Sequence, residues 1–224
     1  MSDALYVQLL DLACGGLLLT AVLVLWRREL PVIIRVFAAQ GVALAGVVAV
    51  LAGRQRSLEL GLLAAGLLIL RAGVLPWLLR RALVTGDSNR DRAARETRPL
   101  VNVAASLLAA AVLTMIAYAV SQPLVALAPS PATRAAPVGL TVALIGFFVL
   151  VTRRRALSQL VGFLLMDNGI TAIGFLTTSG VPLLVELGVS LDVLMAVLVL
   201  QILATRMRDT FGDTDLDELR ELHD

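Results

Sequence analysis

The 224-residue chain has no lysine, one histidine, one cysteine, and aromatic side chains at only 4% of its positions. Each scarcity excludes something. A lone Cys14 permits neither an internal disulfide nor a cysteine cluster for a metal. His223, the penultimate residue, leaves no histidine-rich site. Haem and zinc centres of ordinary ligation are therefore not expected, and neither is a resident cofactor. All 19 basic residues are arginine, which reads as the codon bias of a GC-rich bacterial genome and not as function. No strand, Gly-rich loop and helix follow one another, so nucleotide binding has no support, and no nucleic-acid partner is expected. Charge is scarce as well, at 16% of residues against about 25% in soluble domains.

What remains is apolar. Hydrophobic residues make up 58% of the chain and mean hydropathy is +0.88. A soluble globule of this size could not cover that much apolar surface with so few charges. The composition predicts an all-α, polytopic transmembrane bundle. A spanning helix needs about 20 mainly apolar residues. Seven stretches qualify: 4–26, 31–52, 58–79, 100–127, 137–152, 156–177 and 181–205. Residues 121–137 hold Pro123, Pro129, Pro131 and Pro137 and read as a loop. Met1-Ser2-Asp3 lacks the basic region of a signal peptide, so the first span is expected to be retained.

Arginine placement orients the bundle. Fifteen arginines fall on one side, around 27–35, 80–98, 153–155 and 206–220, and three fall on the other, Arg54, Arg56 and Arg134. By the positive-inside rule the N-terminus lies outside and the C-terminus in the cytoplasm. The chain divides into a three-helix part (1–79), a cytoplasmic linker (80–99), a two-helix part (100–152), a second two-helix part with buried acids (153–205) and an acidic tail (206–224). In that tail Leu216, Leu219 and Leu222 form a stripe among acids. Anionic lipid would repel such a helix, so the stripe is expected to dock on protein.

An ionised side chain at the bilayer centre costs about 2.5–3.5 kcal/mol, so deep charges are where function is sought. Arg71 lies near the middle of the third span, Asp167 at the middle of the sixth and Asp192 at the middle of the seventh. Glu186 lies about two turns outward from Asp192, and Asp11 two turns inside the first span. Two readings are open. One is a structural ion pair of Arg71 with Asp167 or Asp192. The other is a proton path. Desolvation disfavours a charged carboxylate and a nearby guanidinium favours it, so a string of acids with one cation lets charge at one site control protonation at the next. Asn168, Thr171, Gln159 and Gln201 could hold bridging waters or simply bond helix to helix. Pro76 removes one backbone hydrogen bond and is expected to release the carbonyl of Ala72, beside Arg71. Gly41, Gly46, Gly61, Gly66 and Gly73 read as close-packing positions.

Residues 153–222 resemble hydrogenase-4 component E, a membrane subunit of formate-hydrogenlyase-type and other energy-converting [NiFe]-hydrogenase complexes. The resemblance is carried by Gln159-Leu160-Val161-Gly162-Phe163-Leu164-Leu165-Met166-Asp167-Asn168-Gly169, by Val181-Pro182-Leu183-Leu184-Val185-Glu186-Leu187-Gly188-Val189-Ser190-Leu191-Asp192, and by Phe211-Gly212-Asp213-Thr214-Asp215 with its leucines. That family usually has Glu-Asn-Gly where this chain has Asp167-Asn168-Gly169, so the acid is shorter by one methylene. The stretch is more distantly similar to the K-type membrane subunit of complex I and to the C subunit of multisubunit cation/proton antiporters. Glu186 matches the second buried Glu of those proteins. Their first falls on Leu164, with Asp167 one turn later. Residues 1–150 match component E only in length and span pattern, with Arg71 ahead of Pro76.

The resemblance implies a bacterial inner-membrane subunit without a redox centre of its own. Its partners would be antiporter-like membrane subunits and a soluble hydrogenase module. Asp167, Glu186 and Asp192, with Arg71 as counter-charge, would couple redox chemistry to movement of protons or sodium. A C-like antiporter subunit and a non-conducting scaffold are the alternatives.

Overall fold

A computed structural model describes residues 1–85, 101–153 and 156–178. They form helices, with no strand among them, as the composition predicts. We number them α1 (Asp3–Trp26), α2 (Leu30–Gln55), α3 (Leu58–Leu67), α4 (Leu75–Thr85), α5 (Val103–Leu127), α6 (Pro131–Thr152) and α7 (Ala156–Thr177). A π-helical turn, Leu68–Val74, joins α3 to α4 into one continuous span. Six spans are long and apolar enough to cross a membrane among the described residues. The seventh expected span, 181–205, lies outside them.

The helix starts follow from capping. The side chains of Ser2, Ser57, Asn102 and Ser130 each accept a bond from a first-turn N–H, which satisfies donors that have no partner inside the helix. Pro31 and Pro131 stand in the first turn of α2 and α6, where a missing N–H costs nothing. The turn between α2 and α3 closes on Arg56, whose φ of 52° is left-handed.

The expected loop at 121–137 is corrected. Pro123 lies inside α5, Pro131 opens α6 and Pro137 lies inside α6, so only 128–130 separate the two helices. An interior proline removes one hydrogen bond, and neighbouring groups in a packed apolar bundle tolerate that loss. The third span, through α4, also runs to Thr85, six residues into the stretch read as linker.

Aromatic–arginine pairs mark the two ends. Arg27 stacks on Trp26 and Arg81 on Trp77 at the end the arginine count assigns to the cytoplasm. Arg54 lies over Tyr6 and pairs with Asp3 at 2.7 Å at the other.

Helices α6 and α7 make the most extensive contact of the bundle. Glycines create it, seven residues apart on each helix: Gly139 and Gly146 on α6, Gly162 and Gly169 on α7. A Cβ at Gly162 would lie 2.6 Å from the backbone nitrogen of Leu150, and one at Gly139 2.9 Å from that of Ile173. Cβ atoms at Gly146 and Gly169 would overlap the backbones of Met166 and Ala143. In hydrocarbon, helices associate through such close packing, because lipid removes the hydrophobic drive between them. The seam was not anticipated. Of the glycines that were, Gly41 meets the backbone of Arg71, Gly46 makes an ordinary contact with Ala13, and a Cβ on Gly61, Gly66 or Gly73 would meet nothing within 4 Å. Those three are not close-packing positions among the described residues. Helix α5 is peripheral, resting on α6 and less on α1.

A buried charged cluster as the candidate functional site

Three helices bring polar groups to one depth. Arg71 lies within one residue of the middle of its span, Asp167 at the middle of its own, and Gln40 within three residues of the middle of α2. The seam against α6 fixes α7 in height and rotation, and Asn168 is the neighbour of Gly169. Gly41 lets α2 approach the third span until a Cβ there would sit 2.7 Å from the carbonyl carbon of Arg71. Gln40, its neighbour, is thereby delivered to the same place.

Arg71 is 2% exposed. Its Nη1 stands 2.5 Å from Asp167 Oδ2 and also donates to Asn168 Oδ1. Its Nη2 donates to Thr171 Oγ1 at 3.0 Å. Asn168 Nδ2 then donates to Gln40 Oε1 at 3.0 Å. Asn168 and Gln40 are fully buried, while the Asp167 side chain keeps 13% exposure. The direction of this chain is dictated. A guanidinium can only donate, so Asn168 must turn its oxygen to Arg71 and its NH₂ to Gln40, which must answer with its own oxygen. The far end, Gln40 Nε2, finds no acceptor among the described residues. The cluster is neutral in sum, one cation against one anion.

The π turn sets how Arg71 enters. The Leu75 N–H bonds to Leu70 O, five residues back, so this turn is wider than an α turn. Pro76, the next residue, has no N–H with which to continue the ladder. Gly41 packs against the carbonyl of Arg71 and the backbone nitrogen of Ala72 in this stretch.

The other expected residues separate. Gln159 lies about 12 Å along α7 from Asp167 and donates to the Arg153 carbonyl at 2.9 Å. Arg153 is 7% exposed and donates to the carbonyls of Val24, Leu25 and Arg27. That pair ties the end of α1 to the α6–α7 corner, and Gln159 is not part of the cluster. Asp11 lies on the exposed face of α1. Glu186, Asp192, Gln201 and the tail leucines Leu216, Leu219 and Leu222 fall outside the described residues. Gln40 was missed. Its one signal was its place beside a glycine at mid-span.

At the end of the bundle that holds Asp3 and Arg54, a cavity of about 410 Å³ is lined by Tyr6, Arg54, Ser130, Thr133, Phe175 and Thr177, among others. Phe175 is one turn from Thr171. Among the described residues no group of His, Cys, Asp and Glu could hold a metal ion.

These features define a class: a multi-pass helical membrane protein with an ion pair buried at mid-depth. The comparisons give the particular family. The chain is 50% identical over all 224 residues, and over the whole of its relative, to the uncharacterized protein Rv0085 of Mycobacterium tuberculosis, and it belongs to that protein's family. It is also 33% identical over 117 residues to hydrogenase-4 component E of Escherichia coli K12 and of Shigella flexneri, a match covering 52% of this chain and 54% of each relative. No family model matches the chain, and no solved structure matches it.

Proposed function

We propose that this chain is a membrane subunit of an energy-converting hydrogenase-type complex, and that the Arg71–Asp167 pair takes part in coupling redox chemistry to ion movement. The observation that carries the reading is a fully buried arginine facing an acid at mid-membrane, in a chain with a partial match to hydrogenase-4 component E. In a low-dielectric interior the two charges hold each other in place. Moving them apart is expensive unless the carboxylate takes up a proton as the arginine leaves. A displacement of the third span would thus become a protonation event at Asp167. The π turn and Pro76 are where that span departs from a rigid α-helix. The outer cavity above Phe175 would be the aqueous approach on one side. Glu186 and Asp192 would continue the path, and the tail leucines would dock on a partner subunit.

The test is Asp167→Asn in the intact complex. Hydrogenase activity and assembly should persist while ion movement is lost. Normal pumping would overturn the coupling role. A complex purified under mild extraction should contain nickel and iron; their absence would favour the C-like antiporter subunit.

A second reading draws on the same contact: the pair is a helix lock in a non-conducting scaffold. It requires that Arg71→Met with Asp167→Leu, which removes both charges, keep both assembly and coupling.

A further inference from the structure

Asp11 poses the problem that Arg71 solves for Asp167. It stands on α1, eight residues beyond Asp3, about 12 Å along the axis. Asp3 pairs with Arg54, and Arg54 lies over Tyr6, so the membrane boundary falls in the first turn of α1. Asp11 is then well inside a hydrocarbon layer about 30 Å thick. Yet it is exposed, as are Gln8 and Gly15, one turn to either side. All three point away from the stripe that α1 buries in the bundle, formed by Tyr6, Leu10, Cys14, Leu17 and Ala21. A Cβ added to Gly15 would meet nothing within 4 Å.

Among the described residues no hydrogen bond or ion pair reaches the Asp11 carboxylate. Arg54 is paired with Asp3, and Arg71 with Asp167. The remaining apolar stretch, 181–205, carries Glu186 and Asp192 and no basic residue, so it offers no counter-charge. Facing lipid, an ionised carboxylate is costly to keep without a counter-charge. A second copy docked by a twofold axis along α1 would set Asp11 against its own image, like charge against like.

We propose that the Gln8–Asp11–Gly15 face of α1 is the seat of a transmembrane helix from a partner subunit, which presents an arginine or lysine at the depth of Asp11. The carboxylate supplies the counter-charge. The Gln8 amide supplies hydrogen bonds one turn above, and Gly15 leaves room for close approach one turn below. The inference rests on the chain working inside a multisubunit membrane complex, not on that complex being a hydrogenase.

The test places a photo-crosslinking residue at Leu12 or Gly15 of the full-length chain, in native membranes holding the whole complex. Ile69, also exposed, is the control site. Adducts are mapped by mass spectrometry. The expected product joins position 12 or 15, and not 69, to a transmembrane peptide of a different subunit with an arginine or lysine within one turn. Asp11→Asn should lower that adduct at least tenfold. Asp11→Arg combined with the partner's basic residue changed to Asp should restore it. Adducts with lipid alone, with residues 181–205 of the same chain, with a second copy, or with a partner peptide lacking a basic residue would each overturn the proposal. If the charge swap works in a complex without nickel, this inference stands while the hydrogenase reading falls.

Discussion

Asp167 and Asp11 are both aspartates set deep within apolar helices, and the bundle treats them differently. Around Asp167 three helices close in, drawn together by Gly41 and by the glycine seam of α6 and α7, and Arg71 lies 2.5 Å away. Around Asp11 there is one helix face, open and unpacked among the described residues. A chain can neutralise a buried charge from within only where its own backbones come close enough to deliver a partner at the right depth. On its outer surface, neutralisation has to come from another molecule.

The difference can be broken or sharpened in order of expected effect. The largest is Arg71→Ala. Stranding Asp167 should cost about 3–5 kcal/mol, read as a fall in thermal stability of the detergent-solubilised subunit. Removing both charges with apolar residues should recover most of that loss; a double variant as unstable as the single one would show that the pair is not the unit. Next is Gly146→Ala. It forces α6 away from α7 and should cost about 1–3 kcal/mol, whereas Gly15→Ala on the open face should stay within about 0.5 kcal/mol. Equal effects at both positions would erase the contrast between packed and open faces.

Arg153→Met should cost about 1–2 kcal/mol by removing donors from the α1 carbonyls. Proteolytic exposure of the segment after Trp26 would report it. Gln40→Leu loses the bond to Asn168 but also removes a buried NH₂ without an acceptor, so its net effect should be about 1 kcal/mol or less. The smallest is Asp11→Asn, expected to leave the stability of the isolated subunit within about 0.5 kcal/mol while weakening its retention in the complex. A large loss in the isolated subunit would mean that Asp11 has a partner within this chain.

Much of this was legible in residue order, and for identifiable reasons. The spans were legible because a helix must carry its own apolar length across the bilayer, and runs of that length are hard to mistake. The depth of Arg71 and Asp167 followed from counting along those runs. Asn168 and Thr171 were legible as neighbours of Asp167 on one helix. The prolines misled, because a proline in the first turn or inside a packed helix costs far less than one that must end it. Gln40 and the seam glycines escaped notice, although the seven-residue spacing of Gly139 with Gly146 and of Gly162 with Gly169 was there to be read. A glycine is silent until the helix opposite it is known, as the open surroundings of Gly61, Gly66 and Gly73 show.

Order along the chain determined that this protein lives in a membrane, which of its described helices are long and apolar enough to cross, and at what height Arg71 and Asp167 sit, because hydrophobicity and rise per residue are local properties. Tertiary structure decided which of those charges meet. Asp167 and Arg71 are 96 positions apart in the chain, and only the rotation of each helix, set by where two backbones can touch, turns one toward the other and leaves Asp11 facing outward.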